Sequence, residues 1–167
     1  MRLRFALLCL AATFFVAGCA GLAGPSGQNT TRNDTEKTIW SGRLSLQVDS
    51  NPPQFLSAGF ELQGNANSGQ LLLTTPLGST AARVQWSPGS AELTTNASTR
   101  RFATIDELLE QLTGAAIPLP ALFQWLRGQA ADAPGWSADL SRIGSGHLQA
   151  SRQSPQPAVQ LRLVLEQ

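Results

Sequence analysis

The stretch Gln70-Leu-Leu-Leu-Thr-Thr-Pro-Leu-Gly-Ser-Thr-Ala-Ala-Arg-Val-Gln-Trp86 decides the fold. Its left arm is Leu71, Leu72, Leu73, Thr74 and Thr75, of strand length. Its right arm alternates Ala82, Val84 and Trp86 with Arg83 and Gln85, the period of a half-buried strand. Between the arms, Pro76 presets the backbone of the first turn position, and Gly78 can take the left-handed conformation that closes a three-residue hairpin. The spacing therefore predicts strand, tight turn, strand, with Leu77 at the tip. A bulky apolar residue there has two readings. It folds back onto a neighbouring element, or it touches something apolar outside the chain.

Outward from this hairpin the same period recurs. Trp40, Gly42, Leu44, Leu46 and Val48 share one face of a predicted strand, with Ser41, Arg43, Ser45 and Gln47 on the other. Asn51-Pro52-Pro53 interrupts, and Leu56, Ala58, Phe60 and Leu62 resume the alternation up to a turn cluster at Gly64 to Gly69. On the far side come a turn at Ser87-Pro88-Gly89, a short strand at Ala91 to Thr95 and another segment ending at Phe102. This cadence predicts an antiparallel meander.

The pattern changes at Thr104. Thr104-Ile105-Asp106-Glu107 matches a capping box, in which hydroxyl and carboxylate satisfy each other's backbone amides. Ile105, Leu108, Leu109 and Leu112 follow at helical spacing, and Gly114 ends the helix. Ala115 to Pro120 reads as a stiff connection. Leu122, Phe123, Trp125 and Leu126 form a second short helix ending at Gly128, apolar around much of its circumference. Strands are predicted again at Trp136 to Leu140, His147 to Ser151 and Ala158 to Leu165. The fold class is mainly β, of the α+β kind.

The amino terminus reads as a leader. Arg2 and Arg4 precede an apolar run from Phe5 to Ala17, too short to span a bilayer as a stable helix. The run ends in Val16-Ala17-Gly18-Cys19, which resembles the bacterial lipobox, where the cysteine is acylated and becomes the new amino terminus. Residues 1–18 are thus expected to be a signal peptide, 19–38 a lipidated flexible tether rich in Gly, Ser, Asn and Thr, and 39–167 one folded domain. An aspartate after the cysteine would retain a lipoprotein in the inner membrane under the enteric sorting rule. Ala20 stands there, so the expected location is the periplasmic face of the outer membrane.

Charge and chemistry exclude much. The formal net charge is +1, and loss of Arg2 and Arg4 leaves ten basic against eleven acidic residues, so no electrostatic argument points to nucleic acid. Cys9 would leave with the leader and Cys19 would carry lipid, which leaves no disulfide and no thiol nucleophile. His147 is the sole histidine, so a multi-histidine metal site is impossible. Asp106 and Glu107 are explained by the first turn of a helix. Asp132 and Asp139 lack metal-ligand spacing, and Gly144-Ser145-Gly146 lacks the helix a phosphate loop needs. Arg43 and Arg83 lie on the polar sides of their strands. Trp40, Trp86, Trp125 and Trp136 pack in a core or line an apolar cavity. No enzyme is expected, and a hydrolase has little residue support.

Three pieces then coincide in order behind the lipobox. Trp40 with Gly42 opens the first strand. Leu71-Leu72-Leu73-Thr74-Thr75-Pro76-Leu77-Gly78-Ser79-Thr80 follows. Leu112-Thr113-Gly114, Ile117-Pro118-Leu119 and Trp125-Leu126-Arg127-Gly128 complete the set. Over Trp40 to Gly128 this chain resembles the LolB family of outer-membrane lipoprotein receptors. The resemblance implies an antiparallel sheet curved into an incomplete barrel, whose concave apolar face is covered by short helices. It implies a receptor that accepts triacylated lipoproteins from a LolA-like periplasmic carrier and releases them into the outer membrane. Pro76, Leu77 and Gly78 would form the membrane-delivery loop, with Leu77 contacting membrane lipid. No cofactor is implied beyond the acyl chains on Cys19, and the expected state is a monomer. Chosen by face, the candidate lining of the acyl cavity is Leu44, Leu46, Phe60, Leu71, Leu73, Val84, Ile105, Leu109, Leu122 and Trp125. A second reading keeps the half-barrel and the anchor but makes the chain an envelope sensor or assembly factor that binds a peptide or another amphiphile.

Overall fold

The computed structural model describes residues 39–166, so the leader, Cys19 and the tether to Thr38 lie outside the described residues. The described chain is a meander of strands interrupted by a helical pair. In order, β1 spans Ile39–Val48, β2 Gln54–Gly64, β3 Gly69–Thr74, β4 Thr80–Ser87, β5 Ser90–Thr95 and β6 Thr99–Phe102. Two helices follow, α1 at Ile105–Thr113 and α2 at Leu119–Leu126, and then β7 at Trp136–Asp139, β8 at His147–Arg152 and β9 at Val159–Leu165. A short 3-10 turn at Ile143–Ser145 joins β7 to β8.

All strands pair antiparallel in one nine-stranded sheet, in the order β6-β5-β4-β3-β2-β1-β9-β8-β7 among the described residues. The ends β6 and β7 do not pair with each other, so the barrel is incomplete, as expected. The period-2 pattern sets its inner face. Trp40, Leu46, Val48, Ala58, Phe60, Leu62, Leu73, Val84, Trp86, Leu93, Leu161 and Leu163 are buried, while their alternating neighbours are more accessible. Gly42 sits where β1 crowds β9 at φ +152°, and a Cβ there would collide with the Val164 carbonyl.

The hairpin predicted from Gln70 to Trp86 is present. Thr75 N–H donates to the Ser79 carbonyl at 2.8 Å, Gly78 N–H donates to Thr75 at 2.9 Å, and Gly78 takes φ +81°. Its register carries a bulge. Leu73 pairs with Ala82 and Thr74 with Thr80, which leaves Ala81 as the extra residue. On its other side β3 stops pairing at Gly59–Thr74, so Gln54 to Ala58 of β2 pair with β1 alone.

Thr104 caps α1 as predicted, its hydroxyl accepting from Glu107 N–H at 3.1 Å. The reciprocal contact falls one residue earlier than a standard box, with the Glu107 carboxylate accepting from Ala103 N–H at 3.1 Å. Gly114 ends the helix in the left-handed conformation. The second helix begins at Leu119, inside the segment expected to be a stiff connection. Pro118 stands at its cap and Pro120 in its first turn, where a missing N–H costs no helical bond.

The helix α2 closes one end of the barrel. Phe123 is 2% exposed and stacks obliquely between Trp40 at 5.5 Å and Trp86 at 6.4 Å. Arg127 covers this cluster from outside, 5.4 Å from the Trp40 ring, and donates to the Phe123 carbonyl. Arg152, 6% exposed, ties the strands to the helical connection by donating to the carbonyls of Ala116 and Pro157.

Candidate functional site

Between the concave sheet face and the two helices lies an apolar cavity of about 480 Å³, within the range of small-molecule sites. Strands supply its floor and walls through the inward register. Ile105, Leu109 and Leu112 of α1 and Leu119 and Leu122 of α2 supply the roof. In α1 the roof residues fall at i, i+4 and i+7, so one stripe of the helix faces the cavity while Leu108 beside it is fully buried.

Among the described residues, no charged side chain lines the cavity. Its polar residues are Gln54, Ser57, Thr74, Thr75, Thr95 and Thr113, and the sheet register puts the first five at one end, where β2 begins and β3 and β5 finish. Thr113 is satisfied within its own turn, its hydroxyl lying 2.8 Å from the carbonyls of both Leu109 and Ala115. The cavity is therefore greasy at depth and mildly polar at its mouth. Such a site can take up apolar chains. Its described lining holds no carboxylate, imidazole, amine or thiol.

The mouth lies where β2 and the 75–79 turn part company. Phe55 and Ser57 belong to the outer register of β2, yet both border the cavity, because no strand covers that edge. Thr74, Thr75 and Pro76 form the opposite lip. The exposed large apolar residues gather here: Leu77 at 95%, Phe55 at 74%, and Leu56 and Leu112 less so. Ile39 and Val164 are also exposed, away from the cavity.

Leu44, Leu46, Phe60, Leu71, Leu73, Val84, Ile105, Leu109 and Leu122 all line the cavity. Trp125, expected among them, does not. It is 1% exposed, packed 6.3 Å from Trp136, with its indole N–H donating to the Ala131 carbonyl at 3.1 Å. A helix buried nearly all round cannot tell by spacing which face meets the cavity. Leu77 stands clear in solvent and does not fold back onto a neighbour. Trp40, Trp86 and Phe123 form the closed end, with Trp86 also reaching the cavity. Trp86, Leu93, Leu161 and Leu163 also line the cavity; they share the inward parity of Val84 and Leu71, a signal present in the alternation of their strands.

A smaller depression of about 230 Å³ lies on the outer face of β7 to β9, bordered by Ser137, Asp139, Gln149 and Arg162. The Asp139 carboxyl is held below its usual pKa by the hydroxyl and N–H of Ser141. His147 hydrogen-bonds the Ser145 carbonyl in its own turn. No cluster of three metal-ligating side chains occurs among the described residues, and no helix among them is long and apolar enough to cross a membrane.

The family model described as outer membrane lipoprotein LolB matches residues 38–162. A protein of Bordetella petrii named outer-membrane lipoprotein LolB is 34% identical, covering 89% of this chain and 88% of its own length. Relatives of the same name from Cupriavidus metallidurans and Bordetella pertussis are 31% and 32% identical, covering 90% and 91% of this chain and 74% and 87% of their own.

Proposed function

The chain belongs to the LolB family of outer-membrane lipoproteins, and from that premise we propose how its cavity serves as the acyl-binding site of a lipoprotein receptor. The protein is a transport receptor and not an enzyme. It works at the outer membrane, takes lipoprotein cargo from a LolA-like carrier, and passes that cargo to the bilayer. The observation that carries the acyl-binding role is an uncharged cavity whose polar residues gather at one end.

Acyl chains cannot cross water bare, since each exposed CH₂ forfeits about 0.8 kcal/mol. A dry cavity between sheet and helices holds them during the passage from carrier to membrane. Leu44, Leu46, Phe60, Leu71, Leu73 and Val84 of the sheet contact the chains, and Ile105, Leu109 and Leu122 cover them. The mouth leads the chains out between β2 and the 75–79 turn. Pro76 and Gly78 hold Leu77 at the tip of that turn, where it enters the membrane surface during release. Burying one leucine is worth about 1.5–3 kcal/mol. That docks the release site on the bilayer without competing with a multi-chain anchor at Cys19. The acceptor works as a monomer, and transfer runs downhill in affinity with no cofactor.

The test is direct transfer. The chain from residue 19, carrying Cys19→Ser, is mixed with a carrier holding a radiolabelled triacylated lipoprotein. Cargo should move into a stable complex with the receptor and from there into liposomes. Cargo that stays on the carrier, while a known receptor of the family empties it, would refute the reading.

A further inference from the structure

We propose that the free edge of β2 at Phe55 to Ser57 pairs, as an added strand, with the extended peptide that follows the acylated cysteine of a bound lipoprotein. The proposal rests on the acyl-carrying function above and concerns the polypeptide part of the same cargo.

Hydrogen-bond parity identifies the edge. Ser41 accepts from Glu166 N–H, and Asp49 N–H donates to Ala158, so the odd residues of β1 turn their backbone groups toward β9. The even residues of β1 then face β2, and their partners there are also even: Leu44 with Ala58, Leu46 with Leu56. The odd residues of β2 are left to face β3. Gly59, Glu61 and Gln63 meet Thr74, Leu72 and Gln70. Phe55 and Ser57 come next in that series and have no strand opposite them among the described residues.

Two features keep the gap open. Continued register would set Pro76 opposite Ser57, and proline has no N–H to give. The bulge at Ala81 bends the β3–β4 hairpin at the same level. The N–H and carbonyl groups of Phe55 and Ser57 thus face the gap without a ladder partner. A free sheet edge of this kind recruits an extended peptide through main-chain bonds.

Position and chemistry select the occupant. Among the described residues the sheet has two other edges, β6 and β7, and neither contributes a residue to the cavity. Phe55, Leu56 and Ser57 all border it. Acyl chains held inside are covalently continuous with a peptide that must leave through this mouth. Gln54, Phe55 and Ser57 carry no charge, so pairing would read the peptide backbone and accept many sequences. Such breadth suits a receptor that serves unrelated cargo. Pro53 on one side and the Gly59–Thr74 pair on the other confine the edge to a few residues, too short to invite aggregation. The bound acyl chains raise the local peptide concentration, so a few hydrogen bonds suffice.

The experiment measures amide hydrogen exchange by NMR in the chain from residue 19, with Cys19→Ser so that no anchor of its own enters the cavity. Two probes are compared: a triacylated cysteine followed by a short uncharged peptide, and the same triacylated cysteine as a simple amide. Both should shift the signals of Leu73 and Val84. The peptide-bearing probe alone should slow exchange at Phe55 and Ser57, by about tenfold or more. N-methylation of the probe's peptide should abolish that slowing. Filling of the cavity without slowing at the two amides would overturn the proposal and leave the acyl-binding reading standing. Equal slowing by both probes, or by liposomes alone, would assign the edge to lipid and also overturn it. Failure of either probe to shift Leu73 and Val84 would overturn the acyl-binding reading and the proposal together.

Discussion

Pro76 and Leu77 are consecutive, yet Pro76 borders the cavity mouth while Leu77 is 95% exposed and borders none of it. One residue thus separates the inside of the site from its outer tip. The turn that achieves this is fixed by Gly78 and by the Thr75–Ser79 pairing. This juxtaposition suits a loop that touches the membrane while the cavity behind it empties.

Leu77→Glu should leave folding stability within about 0.5 kcal/mol of wild type, because the side chain packs against nothing. Uptake from the carrier should persist and delivery to liposomes should slow. Thermal melting paired with a transfer assay reads both. A large fall in melting temperature would show that Leu77 is packed, and normal delivery would deny it a membrane role.

Ala82→Trp should fill the cavity. Ala82 lines it from β4 and is half-buried, so the new ring would project into open space rather than into a packed core. We expect a folded protein with cargo uptake reduced at least tenfold. Circular dichroism and the carrier assay check the two halves. Undiminished uptake would mean that the chains bind elsewhere.

Phe123→Ala should be costly for another reason. Phe123 is locked between Trp40 and Trp86 at the closed end, and its truncation should destabilise the fold by about 3–5 kcal/mol. Urea unfolding measures this. A loss below about 1 kcal/mol would mean that α2 is not an integral part of the barrel.

Cys19→Ser should abolish incorporation of radiolabelled palmitate and release the protein from membranes. Equal labelling of wild type and variant would place the lipid elsewhere.

The sequence showed the sheet because each strand has one wet and one dry side, as Trp40 to Val48 makes plain. The capping residue Thr104 and the turn Thr75 to Ser79 were legible because their chemistry is local. The start of α2 was not, since Pro118 and Pro120 read equally well as a helix entry and as a stiff loop. The misplacement of Trp125 has a different origin: only Pro120 and Gln124 of α2 are exposed, so spacing does not say which of its many apolar residues meets the cavity. The mouth itself was invisible. Phe55 belongs to the outer register and reaches the cavity only because β3 ends at Thr74, a relation between distant segments that no local period encodes.

The central claim is that acyl chains of the cargo occupy this cavity. Photo-crosslinking tests it most directly, with a benzophenone side chain placed at Leu73 inside the cavity or at Gln160 on the outer face. Receptor loaded from the carrier should cross-link to the acyl chains through position 73 and not through position 160. Cross-links at position 160, or none at position 73 in a receptor that still delivers cargo, would contradict the account.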